Sequence, residues 1–417
     1  MSALWHPFAD MATVSGRELV LVRGEGVFVW DEEGRRYVDG CSSLWYANVG
    51  HGRAEIRDAI AAQLAALETF HVFGDFANRP ALALAERLAG LAPQAGSKVF
   101  LTSGGGDSIE TAVKLARRRH GLEGEPQRQH VISRANGYHG THGIGTSILG
   151  MPYKDEFGQL VPDVSQVAWD SVDALAAEID RVGPERVAAF VYEPVIGSGG
   201  VLLPPDGYLE AAEALCRRHG ILTIADVVIG GFGRLGEWLA VERFGLTPDL
   251  IVFAKGVTSG YLPLGGVIAA PSVAAPFFEQ PGRSFAHGAT YAGHAAACAA
   301  ADANLDLLAR DGLVHRAHEL EEPFHRRLVD AVAGHPLVGD VRGAIGLMAA
   351  VVLAPDLLAH DEGAASRFRD LARGHGVLTR GLVEGVALAP PLVVDDHELE
   401  LIAEGLAAAL DDLARSG

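Results

Sequence analysis

The sequence predicts an α/β protein, with a mostly parallel sheet held between helices and a smaller α/β domain beside it. Three observations carry this. Short apolar runs of strand length alternate with long Ala/Leu-rich helical stretches from about residue 52 onward. The apolar runs are nearly continuous instead of alternating, as expected of strands buried on both faces. Glycine-rich turns follow several of the runs, and the glycine-rich loops stop near residue 310.

The elements follow in chain order. Residues 19–39 alternate apolar and polar side chains around Gly24 and Gly34, which predicts a β-meander turning at those glycines. Strands are expected at Lys98–Thr102, His130–Ser133, Arg186–Tyr192, Ile221–Ala225, Leu250–Ala254 and Gly266–Ala270. Helices are expected at Ser108–His120, Ser171–Val182 and Gly207–His219, and a last one at Asp396–Arg415. The domain division read from this is an N-terminal segment, 1–50, packing with the small domain, then a large domain, 51–310, and a C-terminal small domain, 311–417.

Bulk properties narrow the function classes. Hydrophobic residues make up 49% and charged residues 21%, the balance of a globular chain. There are 53 acidic and 34 basic residues, a net charge of −19 with histidine neutral. That excess repels nucleic-acid phosphates and anionic membranes, so neither is an expected partner. The cysteines Cys41, Cys216 and Cys298 are scattered and form no CxxC pair, which suits a reducing, cytoplasmic setting. The stretch "MSALWHPFADM" lacks the basic-then-apolar form of a signal peptide, and no run of about twenty apolar residues occurs.

Ligands of parallel sheets gather at the carboxyl ends of strands. Asp226 closes the Ile221 strand and Lys255 closes the Leu250 strand. "SGGGDS" follows the Lys98 strand and opens a helix, so free backbone N–H groups and a helix dipole suit a phosphate there. Each feature also has a plainer reading: a helix cap for the glycine loop, a turn residue for Asp226, and a lysine whose amine snorkels to water. Tyr138-His139 offers an aromatic face, although such a pair is unremarkable in a loop. The glycine loop completes neither GxxxxGK[ST] nor GxGxxG, and there is no HExxH or GxSxG, so no metal or serine-nucleophile site is expected. Together the parts match the needs of pyridoxal 5′-phosphate: a lysine for its aldehyde, an acid for its ring nitrogen, a phosphate cradle and a stacking side chain.

Motifs along nearly the whole chain sharpen this. They are "LWHPFADM", "LWYANVGHGR", "GYHGTH", "EPVIGSGGVLLPP", "ADVVIGGFGRLGEW", "AKGVTSGYLPLGG", "HGATYAGH" and "LAPPLVV". The chain resembles a class III aminotransferase of the ω-amino acid and amine:pyruvate branch, within the fold-type-I pyridoxal-phosphate enzymes. The resemblance implies a seven-stranded, mostly parallel sheet in the large domain. It implies that Lys255 binds the cofactor covalently and then moves the substrate proton, and that Asp226 pairs with the ring nitrogen. Val228 and Tyr138 would flank the ring, with His139 and Glu193 also at the cofactor and Gly105 and Gly106 at its phosphate. Thr290 would reach the phosphate of a partner subunit, making the active unit a homodimer with shared sites. Trp45, Phe73, Ser198 and Arg380 would meet the substrate, Phe73 from the neighbouring chain and Arg380 by gripping an acceptor carboxylate.

Three departures accompany the resemblance. Val227 stands where the family usually has a glutamate, so a carboxylate near the cofactor is missing. Ser103-Gly-Gly-Gly-Asp107 replaces the usual Asn-Ser-Gly-Ser-Glu. The serine lost at Gly106 removes a hydroxyl donor worth about 1.5–3 kcal/mol toward a charged acceptor, which predicts weaker cofactor retention. Ser198 stands where ornithine and γ-aminobutyrate enzymes keep a glutamate, which argues against those substrates. The expected reaction passes an amino group from an amine or ω-amino acid to a keto acid such as pyruvate. Decarboxylation, an aminomutase reaction, or a cofactor-binding protein without turnover are the alternatives.

Overall fold

The computed structural model describes residues 3–416. Its centre is a sheet of seven strands: β1 (Lys98–Thr102), β2 (His130–Arg134), β3 (Val164–Val167), β4 (Val187–Tyr192), β5 (Leu222–Asp226), β6 (Leu250–Phe253) and β7 (Gly265–Ala269). Their spatial order is β1-β7-β6-β5-β4-β2-β3. Neighbours from β6 to β3 pair parallel, while β7 runs antiparallel to both β6 and β1. Six of these strands lie where the apolar runs predict them. The seventh, β3, reads "VSQV" and lies at the sheet edge, where a half-polar composition hides it.

Successive residues of the inner strands feed two cores. Leu250 and Val252 join Val113, Val131, Val191 and Val267 on one face. Ile251 and Phe253 join Phe190, Phe232 and Leu305 on the other. This two-sided burial is why β6 reads as an unbroken apolar run. Three helices on the sheet matter below: α1 (Gly105–Leu122), α2 (Val172–Val182) and α3 (Tyr208–Arg218). Ser171 caps α2 by accepting from Ala174 N–H, and Gly207 opens α3 in a left-handed conformation, close to the predicted bounds. The helix expected from Ser108 begins three residues earlier, because the glycines themselves form the first turn.

The N-terminal meander is present at Leu21–Glu25, Phe28–Asp31 and Arg36–Asp39. Its first turn falls at Gly26 and not at Gly24, which lies inside a strand opposite Val29. Gly24 is small for another reason: a Cβ there would come within 2.8 Å of the His51 side chain. Val377–Leu378 adds to this sheet, pairing parallel with Val38 and Asp39. A third sheet, of Val338–Ile345, Met348–Leu353, Arg380–Gly381 and Gly385–Leu388, is antiparallel. The helices Leu313–Val332, Ala364–Gly374 and Asp396–Ser416 pack with these C-terminal strands. Among the described residues no helix is long and apolar enough to cross a membrane.

Candidate active site

The carboxyl ends of β5, β6 and β4 and the start of α1 bring the predicted groups together. Asp226 ends β5, nearly fully buried. One of its oxygens is 2.8 Å from His139 Nδ1, and the other accepts from the Val228 N–H at 3.0 Å. The carboxylate is thus held on both oxygens while the Val228 side chain is left half-buried. Glu193, just past β4, accepts from the backbone N–H groups of Tyr138 and Gly197, each at 3.0 Å. Burial raises the Glu193 pKa and Asp226 pushes it the same way, against His139.

Lys255 starts a tight turn directly after β6, with φ +47. The side-chain amide of Asn304 donates to Gly256 O and Val257 O, both at 2.9 Å, and Asn304 Oδ1 accepts from Ser259 Oγ. Ser108 Oγ, from α1, donates to Phe253 O and sits 2.7 Å from Thr102 Oγ1. The lysine turn and the glycine turn are therefore tied together. Loss of solvation brings the Lys255 amine down to about 8; Arg380 pushes in the same direction, and Asp226 and Glu193 push against it. Cys41 lies in the same electrostatic neighbourhood, its thiol raised to about 12 by burial and by Asp39, so it is inert as a nucleophile at neutral pH.

The remaining predicted residues fall into three places. Tyr138 is half-buried, and burial raises its phenol pKa, with Arg380 and Asp226 both within electrostatic reach. Arg380 is exposed, and its guanidinium makes no hydrogen bond or ion pair among the described residues. Ser198 faces the hairpin that carries Arg380, lining a small cavity with Leu382, Val383 and Glu384. Trp45 is buried at the end of a strained turn in which Ser42, Ser43 and Trp45 all have positive φ. Asp39 clamps this turn by accepting from the Cys41 and Ser43 N–H groups. Thr290 and Phe73 lie elsewhere, on one exposed face where Phe73 borders Gly288.

The family model described as aminotransferase class-III matches residues 11–410. The chain belongs to the class III aminotransferases. Among similar proteins, the putrescine–pyruvate aminotransferase of Pseudomonas aeruginosa is 34% identical, covering 98% of this chain and 94% of that one. The β-alanine–pyruvate aminotransferase of the same organism is 37% identical over 85% of this chain and 84% of its own. A solved (S)-enantioselective ω-transaminase from Thermomicrobium roseum superposes with a TM-score of 0.93 at 39% identity, covering 98% of this chain and 96% of that one. The aminotransferase is an enzyme that uses pyridoxal 5′-phosphate on the fold-type-I scaffold.

The residues present fit that cofactor. No side chain caps α1, so its first-turn N–H groups are available to a phosphate. The turn needs its glycines for two reasons: nothing lies within 4 Å of a Cβ on Gly104, which leaves that side open, whereas a Cβ on Gly105 would crowd Val228 at 3.2 Å. Sequence reasoning missed the supports of the aminotransferase site. Arg134 is buried, donating to Glu193 O at 2.7 Å and to Trp169 O at 2.8 Å. Asn304 and Asn48, which packs against Gly256, are equally silent in the sequence, being single amides in a helix and a loop. Val227 is wholly buried in the apolar core, with its Cγ2 3.4 Å from a Cβ position on Gly231. The position that departs from the family is thus filled with hydrocarbon.

Proposed function

We propose that this aminotransferase takes the amino group of an amine or ω-amino acid and delivers it to a keto acid, with pyruvate as acceptor, in two half-reactions at one site. The observation that carries the reading is the lysine amine of lowered pKa set at a strand end beside the Asp226–His139 pair. The pyruvate assignment is supported by the names of two similar proteins, the putrescine–pyruvate and β-alanine–pyruvate aminotransferases.

When bound, pyridoxal 5′-phosphate supplies an aldehyde that accepts the amino group and a ring that withdraws electrons from the neighbouring carbon. Asp226 would hold negative charge at the ring nitrogen, with His139 fixing the carboxylate's orientation. Val228 and Tyr138 would flank the ring, and Glu193 keeps the Tyr138 loop in place through its backbone contacts. The N–H groups at Gly105 and Gly106 would hold the phosphate. Lys255 Nζ takes the proton released from the substrate carbon and returns it, a task suited to an amine with a pKa near 8. Trp45 and Ser198 shape the substrate space. Thr290 and Phe73 serve the site of a second copy, which makes the working unit a homodimer. Residues 51–310 are the body that holds the cofactor, flanked by 1–50 and 311–417, and the setting is cytoplasmic.

Arg380 is the group we assign to the acceptor carboxylate. It is an exposed cation without a partner among the described residues, close enough to bias Lys255, and residue 198 offers no carboxylate to mask it. The test mixes protein, an amine panel and pyruvate, and follows cofactor absorbance and alanine. Amine-driven spectral change with alanine supports transfer; carbon dioxide release or an unchanged spectrum overturns it. Arg380→Ala should lower kcat/KM for pyruvate at least tenfold and for a simple amine less than threefold. Equal losses would remove the arginine from this role.

A further inference from the structure

The loop Gly140–Gly143 lies directly on the start of α1. A Cβ on Gly140, whose φ is +85, would come 2.9 Å from Gly106 Cα, so the two backbones touch. Glu110, one turn further along α1, fixes the far side of the loop. Its Oε1 accepts from the Ile144 and Gly145 N–H groups, and Lys114 pairs with its other oxygen at 3.3 Å. Between these two anchors stands His142. A Cβ on Gly106 would meet its ring at 3.3 Å from Nδ1 and 3.4 Å from Cε1. The imidazole therefore borders the space that a side chain at 106 would fill. It is exposed, and it makes no hydrogen bond or ion pair among the described residues.

We infer that His142 is a phosphate ligand of the cofactor, donating an imidazole N–H where Gly106 has no hydroxyl to give. The argument joins three facts: an uncapped helix start that suits an anion, a glycine whose absent side chain would meet the His142 ring, and an imidazole without a partner among the described residues, carried by a loop whose backbone is held on both sides. The weaker cofactor retention predicted from Gly106 alone is then offset from a second loop. The inference depends on the pyridoxal-phosphate requirement of the family and concerns only how this chain meets it.

The test is equilibrium binding to apoprotein, read by absorbance, with pyridoxal 5′-phosphate, with pyridoxal, which lacks the phosphate, and with inorganic phosphate as competitor. His142→Ala should weaken pyridoxal 5′-phosphate binding at least tenfold and leave pyridoxal binding within twofold. It should also raise the phosphate concentration needed for competition. Adding Gly106→Ser to His142→Ala should recover affinity to within about threefold of wild type, because the hydroxyl returns and the ring no longer obstructs it. Unchanged binding in His142→Ala overturns the inference. So does an equal loss for pyridoxal, which would mean that His142 only shapes the loop. A wild-type apoprotein that binds no pyridoxal 5′-phosphate would instead defeat the cofactor assignment itself.

Discussion

The chemistry of single residues here depends on where the backbone puts them. Lys255 sits at φ +47, a conformation costing a residue with a Cβ about 1–2 kcal/mol. The hydrogen bonds from Asn304 to the next two carbonyls hold it there. In return the half-buried side chain loses enough hydration for its pKa to fall from 10.5 to about 8. At pH 7 about a tenth of such amines are neutral, against well under a thousandth for an ordinary lysine. The neutral form is the nucleophile and it gains as pH rises. Capture of pyridoxal 5′-phosphate by apoprotein, trapped with borohydride, should therefore accelerate through pH 8 and level off by about pH 9.5. A midpoint near 10 would show that the fold does not tune this lysine. Lys255 and Asp226 were legible because a charge that ends an apolar run is anomalous. Val227 was legible as a departure from the family but not as a consequence. Only the structure reveals apolar packing where a carboxylate would have to be buried.

At the scale of elements, the inner strands were legible and their joints were not. A strand buried on both faces writes itself as an apolar run, whereas β3 is an edge strand of mixed polarity and the turn at Gly26 is masked by Gly24 two residues before it. The least legible joint is Arg234. In "GGFGRLGEW" it reads as a solvated loop cation, yet it is wholly buried. Its guanidinium donates to Leu347 O, Pro390 O, Ser42 Oγ and Asn48 Oδ1, tying the strained Ser42–Trp45 turn to the loop after β5 and to the C-terminal segment. Burial lowers its pKa to about 10, so it remains charged at neutral pH. A linear side chain of similar length cannot reproduce the planar fork. Arg234→Met should cost about 3 kcal/mol or more, because buried acceptors lose their donors at about 1–3 kcal/mol each. Arg234→Lys should recover only part of that. Urea unfolding measures both, and a midpoint within error of wild type would show that these carbonyls find other partners.

For the whole molecule, the open question is what covers the face carrying Phe73 and Thr290. Phe70, Phe73, Phe76, Leu82 and Tyr291 are all exposed there, between 47% and 69%. Phe73, Phe76 and Leu82 line an apolar groove of about 800 Å³ that runs beside β1 to Phe285 and His287. A patch of aromatic side chains this dense is rare on a monomer and common where subunits meet. The residues expected to serve a neighbouring site, Phe73 and Thr290, lie on this face and away from the chain's own Lys255 cluster. A second copy covering the groove would bury the aromatic loop and bring Thr290 toward a phosphate in the same event. Assembly and cofactor binding should therefore fail together. Wild type should sediment as a dimer at micromolar concentration, and Phe73→Glu with Phe76→Glu should sediment as a monomer. The variant should lose pyridoxal 5′-phosphate affinity at least tenfold. Thr290→Ala should stay dimeric and lose a smaller part of that affinity, which separates the contact from the assembly. A monomeric wild type, or a monomeric variant with undiminished cofactor affinity, would mean that each chain completes its own site.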